Sequence, residues 1–204
     1  MIKRLSDILF SIFFLIIFSP ILLGVFLINS IGGNPIFYQK RLGKNGELIK
    51  VMKFRSMKVN AEEILKKDKE LYKLYIDNNF KIPAELDPRI TKFGSFLRKS
   101  SIDEMPQFIN VLIGDMSIVG PRPIVEDELV NYTPHEDLFL SVKPGITGLW
   151  QVSGRSNVIQ DSRVRLDLEY IRKQNFFYDL KIIIKTPLKI FVSEMKFIKE
   201  SDFD

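Results

Sequence analysis

Residues 8–31, ILFSIFFLIIFSPILLGVFLINSI, decide how this chain is organised. The stretch carries no charged residue and is long enough for a helix to cross a bilayer. A cleaved signal peptide fits less well, because the apolar run is too long and no small-residue cleavage site follows it. The sequence therefore predicts a membrane element in this region.

Ser19 and Pro20 interrupt the apolar run near its middle. A proline inside a helix removes a backbone donor and clashes with the preceding turn, so we expect a sharp bend there. The Ser19 hydroxyl can hydrogen-bond a carbonyl that the proline frees, which matters where no water is available.

Basic residues flank the run on both sides, and positive charge marks the cytoplasmic side of a membrane segment. Both ends of the segment therefore favour the same side. Two structures remain open: a re-entrant helix–break–helix hairpin, which enters and leaves one leaflet, and a proline-kinked helix that spans the bilayer. The flanking residues are Lys3 and Arg4 before the run, and Lys40, Arg41 and Lys44 after it.

The composition narrows the class of protein. Of the 204 residues, 46% are hydrophobic and 27% are charged, which excludes a disordered chain and a polytopic membrane protein. The absence of cysteine excludes thiol nucleophiles, zinc–thiolate sites and disulfides. A formal net charge of +5 favours anionic partners, and nucleic acid, anionic lipid headgroups and phosphorylated substrates all remain open.

A second apolar stretch, residues 176–198, differs from the first because lysines interrupt it every four residues, at Lys181, Lys185 and Lys189. This pattern predicts a basic amphipathic segment that lies in the membrane interface. Pro187 is expected to split the segment into two pieces. A core helix with a solvated lysine face is the alternative.

Between these two stretches the pattern predicts one domain. Residues 36–57 predict two strands around a turn at residues 43–46, because Gly and Asn favour turns. Apolar residues at helical spacing predict a helix over residues 61–78, and prolines break residues 83–90 into a loop.

Ser101 and Glu104 have the Ser-x-x-Glu spacing of a helix capping box, and Gly114 suits the end of the helix that would follow. Asp103 and Glu104 would then lie at a helix N-terminus, where the macrodipole favours ionised carboxylates. A nearby Arg98 should lower the pKa of Asp103 further. Acidic residues are also ordinary in a first helical turn, so their position alone does not define a site.

Two stretches are unlike ordinary packing sequence. Residues 120–123, GPRP, form a rigid turn that presents Arg122, a planar and permanently charged donor suited to phosphate oxygens. Residues 143–155, KPGITGLWQVSGR, combine three glycines, the only tryptophan and Arg155, and glycines let a backbone approach a ligand closely. Both stretches favour an anion site without specifying the anion.

Taken in order, these stretches resemble the small monotopic phosphoglycosyl transferases, the bacterial sugar transferase family that starts glycan assembly on undecaprenyl phosphate. Single pieces are weak signals, whereas the ordered set is highly specific and runs over nearly the whole chain. The matching pieces are Ser19-Pro20, KFRSM at 53–57, DPRIT at 87–91, Leu97-Arg98, DEMPQ at 103–107, NVL at 110–112, GDMSIVGPRP at 114–123 and the block 143–155.

The resemblance implies roles for five residues. Asp103 would be the nucleophile, and Glu104 would help to hold a magnesium ion (Mg²⁺) on the diphosphate of the substrate. Arg98, Arg122 and Arg155 match positions that are expected to contact phosphates. These roles are chemically coherent, because Mg²⁺ and arginines offset the negative charge that repels an attacking carboxylate.

The resemblance also implies the architecture. The family's hairpin, broken at a Ser-Pro pair, favours the re-entrant form for residues 1–35, with residues 36–204 as a cytosolic catalytic domain that includes the interfacial segment 176–198. The predicted fold class is α/β, rich in helix with a small β-hairpin, in a monotopic membrane protein. The expected location is the bacterial inner membrane, with the catalytic domain on the cytoplasmic face. Longer relatives carry several spanning helices before this unit, so we expect a minimal catalytic form.

The implied activity is transfer of a sugar-1-phosphate from a UDP-sugar to undecaprenyl phosphate, with release of UMP, through a covalent aspartyl phosphosugar. Such a transfer initiates capsule, exopolysaccharide, O-antigen or glycoprotein glycan assembly. The expected partners are the UDP-sugar, undecaprenyl phosphate and inner-membrane lipids, with no nucleic acid. A homodimer is compatible with the sequence, which does not identify the sugar.

Three other functions fit part of the pattern. A nucleic-acid-binding module explains the basic balance but not the apolar anchor. A metal-dependent glycosyltransferase usually carries an Asp-x-Asp signature, which occurs here only at residues 202–204, where chains fray. That enzyme would release UDP, whereas a phosphoglycosyl transferase would release UMP. A non-catalytic membrane scaffold, the third alternative, would release neither.

The lone His135 is expected to be a surface loop residue rather than a base.

Overall fold

The structure is a computed structural model that describes residues 2–77, 82–83, 86–154 and 160–201. Within these ranges the chain is rich in helix and has a small β-hairpin, as predicted. The helices are α1 (Ile2–Ser30), α2 (Ala61–Lys67), α3 (Lys69–Asp77), α4 (Lys92–Lys99), α5 (Gln107–Ile113), α6 (Glu136–Leu140), α7 (Leu149–Ser153), α8 (Gln160–Lys173) and α9 (Phe176–Ser201). The strands are β1 (Ile36–Leu42), β2 (Leu48–Phe54), β3 (Ser117–Val119) and β4 (Gly145–Thr147).

Helix α1 is apolar, and most of its side chains are exposed rather than packed into a core. Among the described residues it is the one helix that is long and apolar enough to cross a membrane, by length and composition. Phe13, Ile16 and Leu23, for example, are 63%, 67% and 59% exposed. Because so much apolar surface is unfavourable in water, α1 indicates association with a membrane.

Pro20 lies inside α1, which continues through it as one helix. The Ser19 hydroxyl donates a hydrogen bond of 2.8 Å to the carbonyl of Ile16, which is the carbonyl that a proline at position 20 leaves without its helical donor. The predicted use of Ser19 is therefore confirmed, and the re-entrant turn itself stays a prediction.

Contacts divide the chain into two compact units. The larger unit comprises Met1–Pro20, Tyr38–Met52 and Pro106–Asp204, and the smaller unit comprises Ile21–Phe37 and Lys53–Met105. The first division falls directly after Pro20, so the two halves of α1 pack with different parts of the chain. The predicted domain division, 1–35 and 36–204, concerns the membrane and stays a prediction.

The core of the larger unit surrounds a short parallel pair of strands. Strand β3 pairs with β4 in the register Ser117–Gly145 and Val119–Thr147. Because the strands are parallel, the loops that follow them begin at the same edge of the sheet. The buried core side chains around the pair include Val111, Met116, Ile118, Tyr132, Tyr170 and Ile182.

The start of α1 is tied to the larger unit by polar contacts. The Lys3 ammonium lies 2.5 Å from a carboxylate oxygen of Asp179 on α9. Asp7, which is buried, accepts hydrogen bonds from the Ser117 hydroxyl at 2.8 Å and from the Ile118 amide at 3.2 Å. Since a buried carboxylate needs such partners, Asp7 fixes the first turns of α1 in place.

The predicted helix over residues 61–78 is two helices, so this prediction is corrected. The backbone of Asp68 leaves the helical conformation between α2 and α3. Its carboxylate accepts a hydrogen bond of 3.0 Å from the Leu71 amide, which caps the start of α3. An aspartate side chain competes in this way with the helical backbone, and apolar spacing does not reveal it.

The predicted strand–turn–strand over residues 36–57 is confirmed as the β1–β2 hairpin. The Gly43 amide donates a hydrogen bond of 2.7 Å to the Glu47 carbonyl across the turn. Asn45 adopts the left-handed conformation with φ 58°, which asparagine tolerates better than most residues.

Helix α9 runs through Pro187 without interruption, so the predicted split of residues 176–198 into two pieces is wrong. Its buried face includes Asp179 and Ile182, and its lysines Lys181 and Lys185 are exposed. The amphipathic pattern is therefore confirmed up to Leu188, and the side chains beyond it lie outside the described residues.

Candidate active site

Asp103 and Glu104 lie together in a 3-10 turn, Ile102–Glu104, between α4 and α5. The predicted capping box is wrong, because Ser101 adopts a left-handed conformation with φ 57° and makes no side-chain cap hydrogen bond. Helix α5 begins only at Gln107. The two carboxylates therefore precede the helix, and their position is set by the tight turn rather than by a helical first turn.

Lys53 is the direct partner of Glu104. The Lys53 ammonium lies 2.8 Å from Oε1 of Glu104, and the two side chains are 26% and 41% exposed. Lys53 lies near the end of β2, within the KFRSM stretch at 53–57, and sequence analysis assigned it no role. The signal that could have found it is a lysine near the end of a strand, two residues before Arg55.

Arg98 occupies the last turn of α4, and its Nε donates a hydrogen bond of 2.8 Å to the Ser56 hydroxyl. Helix α4 is capped by Thr91, which accepts from the Gly94 amide at 2.8 Å. A Cβ at Gly94 would lie 1.8 Å from the Ser56 carbonyl oxygen, so only glycine allows α4 to approach this close. The approach of α4 to Ser56 thus places Arg98.

The pKa of Asp103 is raised to about 6. Burial is the largest cause and the neighbouring Glu104 charge is the next, while Lys53 and Arg98 act in the opposite direction. The predicted lowering of this pKa is therefore wrong, although the expected contribution of Arg98 is present. A carboxyl with this pKa is mostly ionised at neutral pH and is more basic than an ordinary aspartate.

The DPRIT stretch at 87–91 has a structural role. Nε and Nη2 of Arg89 each donate a hydrogen bond of 2.8 Å to the Asp87 carboxylate, and both residues are buried. Burial alone would raise the pKa of Asp87, but the hydrogen bonds and charge of Arg89 lower it. Met57 pairs with Ile90 in an isolated bridge, so this ion pair secures the loop that leads into α4.

In the larger unit, the GPRP loop that carries Arg122 is placed by close backbone contact. The Gly120 amide donates to the Thr147 carbonyl at 2.9 Å, and the Gly145 amide donates to the Pro121 carbonyl at 2.8 Å. A Cβ at Gly145 would lie 2.1 Å from the Gly120 nitrogen, and one at Gly148 would lie 2.3 Å from the Gly120 oxygen. These glycines allow two backbone segments to lie close together, whereas sequence analysis predicted that they let the backbone approach a ligand.

Arg122 has a cationic neighbour that sequence analysis missed. The pKa of Arg41 is lowered by burial and then by the charge of Arg122. Two neighbouring arginines attract anions, and the carboxylate of Glu128 already offsets part of their mutual repulsion. The buried Asp167 also lies near Arg122. Burial raises its pKa to about 7, and it accepts a hydrogen bond of 2.8 Å from the Tyr132 hydroxyl.

The structure thus sorts the predicted site residues. Asp103, Glu104 and Arg98 form one cluster with Lys53 in the smaller unit. Arg122 belongs to the larger unit, and Arg155 lies outside the described residues. His135 is an exposed residue ahead of α6, as predicted.

The exposed apolar helix α1 indicates a membrane-associated protein, and the comparisons with known proteins give its class, a sugar transferase. The chain belongs to the bacterial sugar transferase family, whose sequence model matches residues 1–193. The resemblance seen in the ordered motifs is thereby confirmed.

Relatives within this family carry informative names. The chain is 45% identical over 188 residues to the undecaprenyl-phosphate galactose phosphotransferase of Salmonella typhimurium. The alignment covers 90% of the chain and 39% of that protein. It is 40% identical over 204 residues to the UDP-glucose:undecaprenyl-phosphate glucose-1-phosphate transferase of Escherichia coli K12, with 95% and 41% covered. It is 43% identical over 190 residues to the exopolysaccharide production protein ExoY of Sinorhizobium fredii, with 90% and 83% covered. The chain therefore spans about two fifths of the first two relatives and most of the third.

Proposed function

We propose that the chain transfers a sugar-1-phosphate from a UDP-sugar to undecaprenyl phosphate and releases UMP. The observation that carries the proposal is the cluster in which a buried Asp103 and its neighbour Glu104 lie near the cations Lys53 and Arg98. The names of two relatives support undecaprenyl phosphate as the acceptor and a phosphate-linked sugar as the group transferred.

In the first step Asp103 acts as the nucleophile. One of its carboxylate oxygens attacks the phosphorus that carries the sugar, and the bond from that phosphorus to the bridging oxygen of UMP breaks. UMP leaves with the electron pair, and the sugar phosphate remains bound to Asp103 as an acyl phosphate. Arg98, whose guanidinium is oriented through Ser56, attracts the phosphate oxygens and stabilises the charge at phosphorus.

In the second step an oxygen of undecaprenyl phosphate attacks the same phosphorus. The bond between that phosphorus and Asp103 breaks, which restores the carboxylate and forms a polyprenyl diphosphate sugar. Two displacements at the same phosphorus thus replace one direct attack of the lipid phosphate on the UDP-sugar. The exposed apolar surface of α1 gives the domain access to an acceptor that stays in the bilayer.

Mg²⁺ belongs to the same proposal. Among the described residues no group of three or more His, Cys, Asp or Glu side chains is placed to hold a metal ion. Mg²⁺ commonly uses one or two carboxylates together with substrate phosphates, so the donor set at Glu104 fits an ion shared with a diphosphate. When bound, the ion neutralises charge on the diphosphate oxygens. Repulsion between Glu104 and Asp103, which raises the pKa of Asp103, favours cations here, and Lys53 already contacts Oε1 of Glu104.

The contacts at the two ends of α1 support the re-entrant topology. Asp7 accepts a hydrogen bond from Ser117, and Asn29 donates one of 3.0 Å to the Arg55 carbonyl. Both partners follow α1 in the chain, and the described residues after α1 include no other helix long and apolar enough to cross a membrane. If the chain after α1 stays on one side of the membrane, both ends of α1 lie on that side, which we propose is the cytoplasmic face of the inner membrane.

A nucleotide-release screen tests the proposal. The full chain in detergent, with undecaprenyl phosphate and Mg²⁺, is incubated with a panel of UDP-sugars, and the nucleotide product is identified by chromatography. We expect UMP with one or a few sugars, and none from the Asp103→Asn variant. Release of UDP would instead indicate glycosyl transfer, and the absence of any nucleotide product across a broad panel would contradict the proposal.

A further inference from the structure

Helix α9 presents an exposed apolar row. Phe176, Leu180, Ile184 and Leu188 are spaced four residues apart, so they lie on one side of the helix. They are 46%, 43%, 61% and 63% exposed. A row of large apolar side chains this open to solvent indicates a surface that meets an apolar environment.

The neighbouring row on α9 is cationic. Lys181 and Lys185, one helical turn apart, are exposed and border a groove between α7 and α9. The groove is lined below them by Leu149, Val152 and Ile182, of which Val152 and Ile182 are buried. The groove thus combines an apolar lining with two positive charges at its border.

Contacts on the opposite side of α9 fix its rotation. Asp179 receives the Lys3 ammonium at 2.5 Å, and the hydroxyls of Thr186 and Thr147 lie 2.8 Å apart. Because these contacts hold one face of α9 against the rest of the larger unit, the apolar row and the lysine row face outward.

We propose that this groove binds the headgroup phosphate of an anionic phospholipid, with Lys181 and Lys185 on its oxygens and the α9 apolar row at the acyl-chain boundary. The proposal goes beyond the transfer reaction, because this lipid is neither donor nor acceptor. Charge complementarity favours an anionic lipid over a zwitterionic one, whose own cation already neutralises the phosphate. The bound lipid would fix the angle at which the domain meets the bilayer.

Lipid titration followed by native mass spectrometry tests the groove directly. The full chain in a neutral detergent is titrated with phosphatidylglycerol, and the double variant Lys181→Gln/Lys185→Gln is compared with wild type. We expect a loss of affinity of about 30-fold, from two lysines near one lipid anion. The variant Lys181→Arg/Lys185→Arg keeps both charges and should bind as wild type does.

A matched control lies on α3. Lys69 and Lys73 are also exposed and four residues apart, so Lys69→Gln/Lys73→Gln removes the same charge elsewhere. This control should bind phosphatidylglycerol as wild type does. The proposal is overturned if the α9 glutamine pair binds phosphatidylglycerol as wild type does, or if the α3 glutamine pair loses as much affinity for it. It is also overturned if the α9 glutamine pair loses the same affinity for phosphatidylcholine. It is also overturned if the α9 glutamine pair weakens the binding of undecaprenyl phosphate but not the binding of phosphatidylglycerol. The readout uses no UDP-sugar, so failure of the proposed transfer reaction would not affect it.

Discussion

The Lys53 ammonium lies 2.8 Å from the carboxylate of Glu104, so a residue of β2 meets the turn that carries Asp103. Both side chains are partly exposed, and ion pairs of this kind add little to stability. The effect of the pair is to orient Glu104 beside Asp103. The pair therefore bears on activity more than on folding.

The role of Glu104 is tested by Glu104→Gln, which keeps the shape of the side chain and removes its charge. We expect UMP release to fall by orders of magnitude while the protein stays folded and membrane-bound, because the carboxylate proposed to hold Mg²⁺ is lost. Steady-state rates across a range of Mg²⁺ concentrations provide the measurement. Glu63→Gln, at an exposed position on α2, is the control. Near-normal turnover of Glu104→Gln at limiting Mg²⁺ would assign the metal elsewhere, with Asp115 the next candidate.

The covalent step is tested by leaving out the lipid acceptor. Incubation with UDP-sugar and Mg²⁺ alone should release roughly one equivalent of UMP per protein and leave a sugar-phosphate adduct on the Asp103 peptide, detected by mass spectrometry. Asp103→Asn should abolish both. If UMP appears only with undecaprenyl phosphate and no adduct is found, a direct displacement with Asp103 as base is the better mechanism.

The raised pKa of Asp103 predicts a pH-dependent cost to stability. Because the pKa is about 6 in the folded protein and 3.8 in the reference state, the folded protein binds this proton more tightly than the unfolded chain. Stability therefore falls as pH rises through this window and remains reduced above it. Asp103→Asn should raise the thermal unfolding midpoint in EDTA at about pH 8, by an amount equivalent to at most about 3 kcal/mol, and change it little at about pH 4.

Thermal unfolding of Asp137→Asn, at an exposed position on α6, reports the general effect of removing one carboxylate. An equal gain for Asp103→Asn at both pH values would show that the ionised form of Asp103 carries no special cost.

The close approach of α4 to Ser56 is tested by Gly94→Ala. The new Cβ would lie 1.8 Å from the Ser56 carbonyl oxygen, which is backbone and has little room to shift. We expect a loss of about 3 kcal/mol or more, measured by thermal unfolding, together with loss of activity as Arg98 moves. Gly24→Ala on α1 is the control, because its added Cβ would have no heavy atom within 4 Å beyond its chain neighbours and the backbone of its own helix. Equal stability of the two variants would contradict the packing described for α4.

The topology of α1 is tested with tags at residues 1 and 204. In intact cells both tags should be protected from labelling on the outside. Changing Ser19-Pro20 to Ala-Leu restores the helical donor to the Ile16 carbonyl, so the apolar run should span the bilayer and expose the N-terminal tag. Ser30→Ala removes a similar hydroxyl bond, to the Phe26 carbonyl, and should leave the topology unchanged. An exposed N-terminal tag in the wild type would mean a spanning helix.

Local patterns predicted the elements that local chemistry controls. The β1–β2 hairpin follows from its Gly and Asn turn, and the apolar length of α1 follows from composition. The Ser19 hydrogen bond follows from the carbonyl that Pro20 frees. Motif order also singled out Asp103 and Glu104, which lie in one 3-10 turn, and their catalytic roles stay predictions.

What sequence did not reveal depends on contacts between distant segments. The pKa of Asp103 was predicted too low because its burial, the largest cause of the shift, cannot be read from its neighbours in sequence. The places of Lys53 and Arg41 beside site residues were not predicted, because each contact is with a residue far along the chain. Lys53 pairs with Glu104, and the charge of Arg122 acts on Arg41.

The seam of Gly120, Gly145 and Gly148 locates the Arg122 loop through contacts between main-chain atoms. The frame of the loop and the chemistry that it presents are therefore separate traits. If Arg122 contacts a phosphate, as the motif order predicts, an exchange at position 122 would alter anion binding while the frame stays intact, whereas a side chain at any of the three glycines would disturb the frame itself. On that prediction, ligand preference would be tuned by the side chain at position 122 and the fold of the loop by the glycine seam.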